Sequence, residues 1–208
     1  MKKIGLIFVL LPLYAFHPGK KVLSDFPAYQ EESYYKETVY AEHDWKEFYQ
    51  LKEPNQTVEP GHYDLHLLNA ALFFATNKIR EEKKRKPLQY LKGLRDAAIL
   101  HTHEMTTLRF FAHENPYNKK FYSPEMRMQL FGVKSEYTGE NCDMQFPDEE
   151  ETYIQLAEDI VKDLYDSPGH RVNMLNIGFR YMGCAAEITT GKEEGDYTIR
   201  ATQDFCGK

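Results

Sequence analysis

Apolar residues recur at helical spacing in three separate stretches of this chain, and the extended runs come almost entirely late. Leu65, Leu68, Leu72, Ala75 and Ile79 repeat at steps of three and four. Leu94, Ala97, Ala98, His101 and Met105 line one face of a second helix over about 91–108. Ile154, Ala157, Ile160, Val161 and Leu164 form a third stripe, opened by an expected capping box of Asp148 with Glu151. A short helix is expected at 124–130 and a short strand at 138–144. Ser167 and Pro168 read as N-cap and first position of a fourth helix, ending near 175. Two strands, about 181–189 and 196–205, close the chain around a turn at 191–195. Helices flanking one small sheet of mainly late strands imply an α/β sandwich.

The first 16 residues carry the marks of a secretory signal. Lys2 and Lys3 precede an almost wholly apolar run, 4–13, with Leu13 and Ala15 at the −3 and −1 positions of a cleavage site. The run is too short to span a bilayer comfortably, so no transmembrane anchor is expected in the mature chain. A membrane-tethered N-terminus is the competing reading. Residues 17–62 form a Tyr-rich extension, with a short helix near 44–51 that sets Trp45 and Phe48 on one face. It reads as an arm packed by its aromatics onto the domain, or as a segment that binds a partner or the cell wall. The domain itself takes 63–208.

A net charge of −6 argues against nucleic acid as a partner. The charged run from Arg80 to Lys86, stopped by Pro87, reads as a solvated helix end rather than a phosphate or membrane patch, because Glu81 and Glu82 interrupt it. In an exported chain, Cys142, Cys184 and Cys206 predict one disulfide and an odd thiol. All three pairings stay open. The expected strand pairing sets Cys184 near Arg200, which favours a bond between Cys142 and Cys206.

Three polar residues sit in unusual frames. These are Phe110-Phe111-Ala112-His113-Glu114-Asn115, Tyr137-Thr138-Gly139-Glu140-Asn141 and Asp166-Ser167-Pro168-Gly169-His170-Arg171. His170 falls at the third position of its helix, where the helix dipole disfavours the imidazolium; a neutral imidazole can ligate a metal or accept a proton. Glu140, in a partly buried strand, needs a His or a cation beside it. His101 and His103 are two apart and point to different sides of a helix. His101 is expected in the core or behind the site, and His103 exposed.

The order and framing of these motifs resemble the CAP superfamily of cysteine-rich secretory, antigen 5 and pathogenesis-related group-one proteins, and the Ser-Pro-Gly-His-Arg form resembles its bacterial branch. The resemblance covers about 65–206. Asn77 and Arg80 match an N-x-x-R in the first helix, and Thr202-Gln203-Asp204-Phe205 match the terminal strand. The resemblance implies a three-layer α-β-α sandwich with a small, mostly antiparallel sheet. It implies a cavity lined by His113, Glu140 and His170, which as a set can take a divalent metal such as Zn²⁺. It also implies export to the cell envelope, the periplasm or the medium, and a lipid or cell-wall ligand. The leading expectation is a ligand-binding or envelope-associated module. The alternative is a metal-assisted hydrolase with Glu140 as general base. One departure stands out. Where many relatives carry W-x-x-E, this chain has Leu164 and Ser167, which leaves Asp163 or Asp166 as candidates for a fourth acidic group.

Overall fold

The computed structural model describes residues 37–59, 61–146, 150–190 and 197–207. The expected signal at 1–16, the first part of the extension, Asp148 and the turn at 191–195 lie outside these residues. The helices are α1 (Val39–Glu42), α2 (Trp45–Phe48), α3 (Leu65–Glu82), α4 (Lys92–Thr107), α5 (Pro124–Leu130), α6 (Tyr153–Asp166) and α7 (Pro168–Met174). The strands are β1 (Gln89–Tyr90), β2 (Thr138–Gln145), β3 (Tyr181–Thr190) and β4 (Tyr197–Cys206). The helix starts follow their caps. Asp64 accepts the backbone N–H groups of His66 and Leu67 and so opens α3. The capping box of α6 is made by Thr152 and Gln155, not by Asp148 and Glu151: Thr152 directly precedes the first apolar turn.

The sheet order is β1-β3-β4-β2, with β1 parallel to β3 and the other pairs antiparallel. Successive strand residues alternate between its two faces. Helix α4 packs across β3 and β4 on one face, with α5 against it. Helix α3 lies on β3 from the other side, and α6 packs on α3 and β2. The result is the expected three-layer α-β-α sandwich. The stripes read from the sequence supply the buried residues: Leu68 and Leu72 on α3, Leu94 and Ala97 on α4, and Ile160 and Leu164 on α6. The described part of the extension belongs to the same core. Phe48 is fully buried and stacks on Phe74, and Tyr40 packs on Phe73 and Tyr90.

The register corrects the cysteine expectation. Cys184 pairs with Gln203, three residues from Arg200. This puts Cys184 on the face opposite Cys142 and Cys206. Cys142 faces Thr202, so Cys206 lies four residues further along the neighbouring strand, roughly 13 Å away, whereas a disulfide needs Cα atoms within about 7 Å. All three thiols are free and buried, and no disulfide is supported.

One close approach holds α4 on the sheet. A Cβ built on Gly183 would lie 2.0 Å from the backbone nitrogen of Arg95 and 2.4 Å from the carbonyl carbon of Leu94, so only glycine lets the helix seat this closely. Gly169 in α7 has open space around it. Gly183→Ala is expected to destabilise the protein by about 3 kcal/mol or more in urea unfolding, from backbone overlap that no rotamer relieves. Gly169→Ala should leave stability unchanged or raise it by about 0.5–1 kcal/mol.

Candidate functional site

Glu140 is the centre of a buried polar cluster on the α4 face of β2. Its side chain is almost inaccessible, and both oxygens are engaged. Arg127 of α5, itself fully buried, donates from Nη2 to Oε2 at 2.6 Å, and Nδ1 of His113 lies 2.9 Å from Oε1. An ionised carboxylate only accepts, so His113 carries its proton on Nδ1. Burial pushes the Glu140 pKa up. The His113 hydrogen bond and the charge of Arg127 more than offset that and hold it below the ordinary carboxylate range. Reciprocally, the bond to Glu140 raises the His113 pKa. The His113 side chain stays 48% exposed, so its Nε2 edge is turned toward solvent.

Arg127 also fixes the loop that carries His113. Its Nη1 donates to the carbonyls of Phe121 and Tyr122 and its Nη2 to that of His113, at 3.1, 3.1 and 2.9 Å. Removing Arg127 alone would strand a buried carboxylate, which costs about 3–5 kcal/mol. The sequence motifs did not single out this arginine. The signal available was indirect: a Glu expected in a buried strand demands a cation, and Arg127 sits between Met126 and Met128 in the expected helix 124–130.

Three further groups surround Glu140. Asp204 is its cross-strand partner on the same face and is fully buried. Burial first, and the Glu140 charge second, raise its pKa far above the usual range, so it keeps its proton where an ordinary carboxyl has lost it. His101 of α4 is buried, with Nε2 2.9 Å from the carbonyl oxygen of Ala112 and 3.8 Å from Glu140. Desolvation brings its pKa down to about 4, so it is neutral and donates from Nε2. The Cys142 thiol lies 3.6 Å from Glu140, and burial followed by that charge lifts its pKa well above the usual value.

His170 arrives from the opposite layer. β2 is an edge strand, and its next residue, Asn141, faces the α7 side. Asn141 Nδ2 donates to the His170 carbonyl at 3.1 Å, and Asn173 of α7 donates to Asn141 Oδ1 at 2.9 Å and to the Glu140 carbonyl at 3.2 Å. Desolvation, and then the charge of His113, lower the His170 pKa. The two imidazoles thus lie within electrostatic reach of each other beside the β2 edge. Ser167 occupies the N-cap position of α7, but its hydroxyl caps no backbone N–H.

The remaining candidates go elsewhere. Asp166 pairs with Lys162 at 2.5 Å, and burial, followed by the charge of Asp163, raises the pKa of Asp143 to about 6. The acidic group beside Glu140 therefore comes from β4, as Asp204, and not from α6. His103 is half-buried rather than exposed, with Nδ1 3.0 Å from Glu187. Asn77 and Arg80 are scaffold. Asn77 exchanges two hydrogen bonds with the backbone of Leu88, and Arg80 holds the carbonyls of Lys86, Met174 and Asn176.

His101, Glu140 and Cys142 place ligand-type atoms within 4.8 Å of one another, and all three are buried. Their chemistry does not suit a cation. Arg127 already neutralises Glu140, the Cys142 thiol holds its proton, and the His101 nitrogen nearest the cluster is spent on Ala112. The imidazole that keeps an exposed edge is that of His113, whose tautomer Glu140 fixes from behind.

The Asp204 proton has a consequence for stability. A raised folded-state pKa means that the folded chain binds a proton the unfolded chain releases above about pH 4, so this contribution falls as pH rises from there. Asp204→Asn, which keeps the shape and a donor, should therefore raise Tm relative to wild type by more at pH 8 than at pH 4. Thermal unfolding at both pH values checks this; an equal difference at the two would mean that Asp204 titrates normally.

A family model described as "Cysteine-rich secretory protein family" matches residues 73–205. The uncharacterized protein YkwD of Bacillus subtilis (strain 168) is 32% identical over 133 residues, covering 64% of this chain and 44% of that protein. The crystal structure of an extracellular protein containing an SCP domain, from Bacillus anthracis str. Ames, superposes with a TM-score of 0.53 at 23% identity, over 70% of this chain and 42% of that one. An outer surface protein from Borrelia burgdorferi superposes with a TM-score of 0.55 at 14% identity, over 74% of this chain and 99% of that one. This chain thus spans less than half the length of the two Bacillus proteins. Taken with the motifs and the sandwich, the match establishes that the chain belongs to the cysteine-rich secretory protein (CAP) family, in its bacterial form.

Proposed function

We propose that this chain is an exported CAP-type binding module, and that it engages its ligand through His113 and His170 at the edge of β2. Glu140 stands behind as the buried carboxylate that orients His113. The supporting observation is the 2.9 Å bond from His113 Nδ1 to Glu140, on an imidazole that remains half-exposed. That bond leaves Nε2 as the outward atom. A carboxylate bonded to the inner nitrogen of a histidine is the usual outer partner of a metal-ligating imidazole. His170, with a lowered pKa, offers a second neutral nitrogen. A divalent ion such as Zn²⁺ therefore has His113 and His170 as its direct ligands, with Glu140 one shell out. Bound there, it would act as a Lewis acid or as a bridge to an oxygen-bearing ligand.

Export rests on the apolar N-terminal run and on the family. Among the described residues, no helix is long and apolar enough to cross a membrane. The partner class remains the one the family resemblance implies, a lipid or a cell-wall component. Residues 63–208 form the proposed CAP domain, with 17–62 as its extension. The hydrolytic alternative has less support. A general base needs a free lone pair aimed at water, whereas both Glu140 oxygens are held and its basicity is reduced.

Zinc titration separates these roles. Zn²⁺ is expected to raise the Tm of the wild type by binding the folded state, and the double variant His113→Ala/His170→Ala is expected to lose that shift. Glu140→Gln should weaken zinc affinity by about 10–100-fold without abolishing it, the loss typical of an outer partner. Complete loss in Glu140→Gln would make Glu140 a direct ligand, and an undiminished shift in the histidine double variant would sink the site.

A further inference from the structure

The charged run at the end of α3 is sorted by the fold into two separate surfaces. Its acids leave. Glu81 accepts from Trp45 Nε1 at 2.7 Å and from Lys46 Nζ at 2.6 Å, and Glu82 acts electrostatically on Tyr49. Its cations turn the other way. The backbone reverses at Lys84, which adopts a left-handed φ of 58°, and the Arg85 N–H returns to the Arg80 carbonyl at 2.7 Å. This turn brings the basic residues beside Arg180, just before β3. Arg80, Lys84, Arg85, Lys86 and Arg180 together line a cleft of about 440 Å³, with Phe179 among its apolar lining, and no carboxylate lines it.

These charges are not compensated locally. Lys84, Arg85, Lys86 and Arg180 make no ion pair with a carboxylate among the described residues. Arg80 is buried and bonded only to carbonyl oxygens, and after burial the charge of Arg85 lowers its pKa further, to about 10. A chain of net charge −6 therefore lines one cleft with four exposed cations that have no carboxylate partner among the described residues, with the buried Arg80 behind them. Like charges so placed repel one another and raise the local concentration of anions. Arginine forks match phosphate oxygens in pairs, and lysines add point charges.

We propose that this cleft binds a phosphate-bearing anion, gripped by Arg85, Arg180, Lys84 and Lys86, with its less polar part against the exposed side chain of Ile177. The cleft borders β1, at the sheet edge opposite the one that holds Glu140. Its lining includes none of His113, Glu140 and His170, so it is a second site. The ligand is either a free phosphate compound or the headgroup of an anionic phospholipid; both present the same oxygens.

The test uses the whole chain in two arms. Inorganic pyrophosphate is titrated calorimetrically, and vesicles containing phosphatidylglycerol, with phosphatidylcholine vesicles as control, are used in cosedimentation. Binding in the first arm alone assigns a free phosphate compound, and selective binding to phosphatidylglycerol assigns a headgroup. Arg85→Glu/Arg180→Glu should weaken whichever binding is seen by about tenfold or more, while Lys119→Glu/Lys120→Glu, equal in charge change but set beside Asn118 at the Glu104 end of α4, should alter it by less than about twofold. Both pairs are exposed, and an unchanged near-ultraviolet circular dichroism spectrum verifies folding. No binding in either arm overturns the proposal, and so does equal weakening by the two double variants.

Discussion

The ionised carboxylate of Glu140, sealed under α4 and α5, is the constraint around which the site is built. A bare charge at that depth would be driven to protonate, yet Glu140 stays ionised because Arg127 and His113 each take one of its oxygens. Its neighbours adjust accordingly. Asp204 keeps its proton, since two carboxylates on one strand pair cannot both be charged there; Cys142 keeps its thiol; His101 stays neutral. The outcome is one fixed negative charge with one matched arginine and one histidine whose far edge reaches solvent.

The sandwich explains why the groups come from such distant parts of the chain. One face of β2 meets α5 and the loop that carries His113, and the other meets α6 and α7. Glu140 faces the α4 layer and reaches His113, while Asn141 faces the other layer and ties down α7, which carries His170. Adjacent residues of a pleated strand thus hold the His113 side chain on one face and the backbone of α7 at His170 on the other. The same alternation keeps the cysteines apart: Cys184 falls on one face, and Cys142 and Cys206 on the other, four residues out of step.

Much of the fold was legible because it rests on periodicity. The stripes on α3, α4 and α6 and the late strands have local signatures, and so does Ser123-Pro124 at the start of α5. Glu140, His113 and His170 were singled out through their turn-rich frames, and the structure brings the first two into contact. What could not be read was pairing. The register of β3 against β4 depends on a turn whose length the sequence leaves open, so Cys184 was expected three residues away from its true partner. Arg127 and Asp204 carry no motif of their own. Arg127 resembles any helical arginine until α5 packs down, and Asp204 becomes a protonated acid only when its register partner turns out to be Glu140. The charged run is exposed over 81–86, as the interrupting acids suggested, but linear order hides that Glu81 points to Trp45 while Arg85 turns toward Arg180.

The central claim is that Glu140 is ionised and holds the Nδ1 proton of His113. Nitrogen-15 NMR of the His113 ring, followed through a pH titration, tests it most directly. The account predicts a proton on Nδ1, a free Nε2 in the neutral form, and a pKa above the ordinary histidine value of about 6.5 that falls in Glu140→Gln. A neutral form protonated on Nε2, or a pKa that does not move when Glu140 is neutralised, would contradict it.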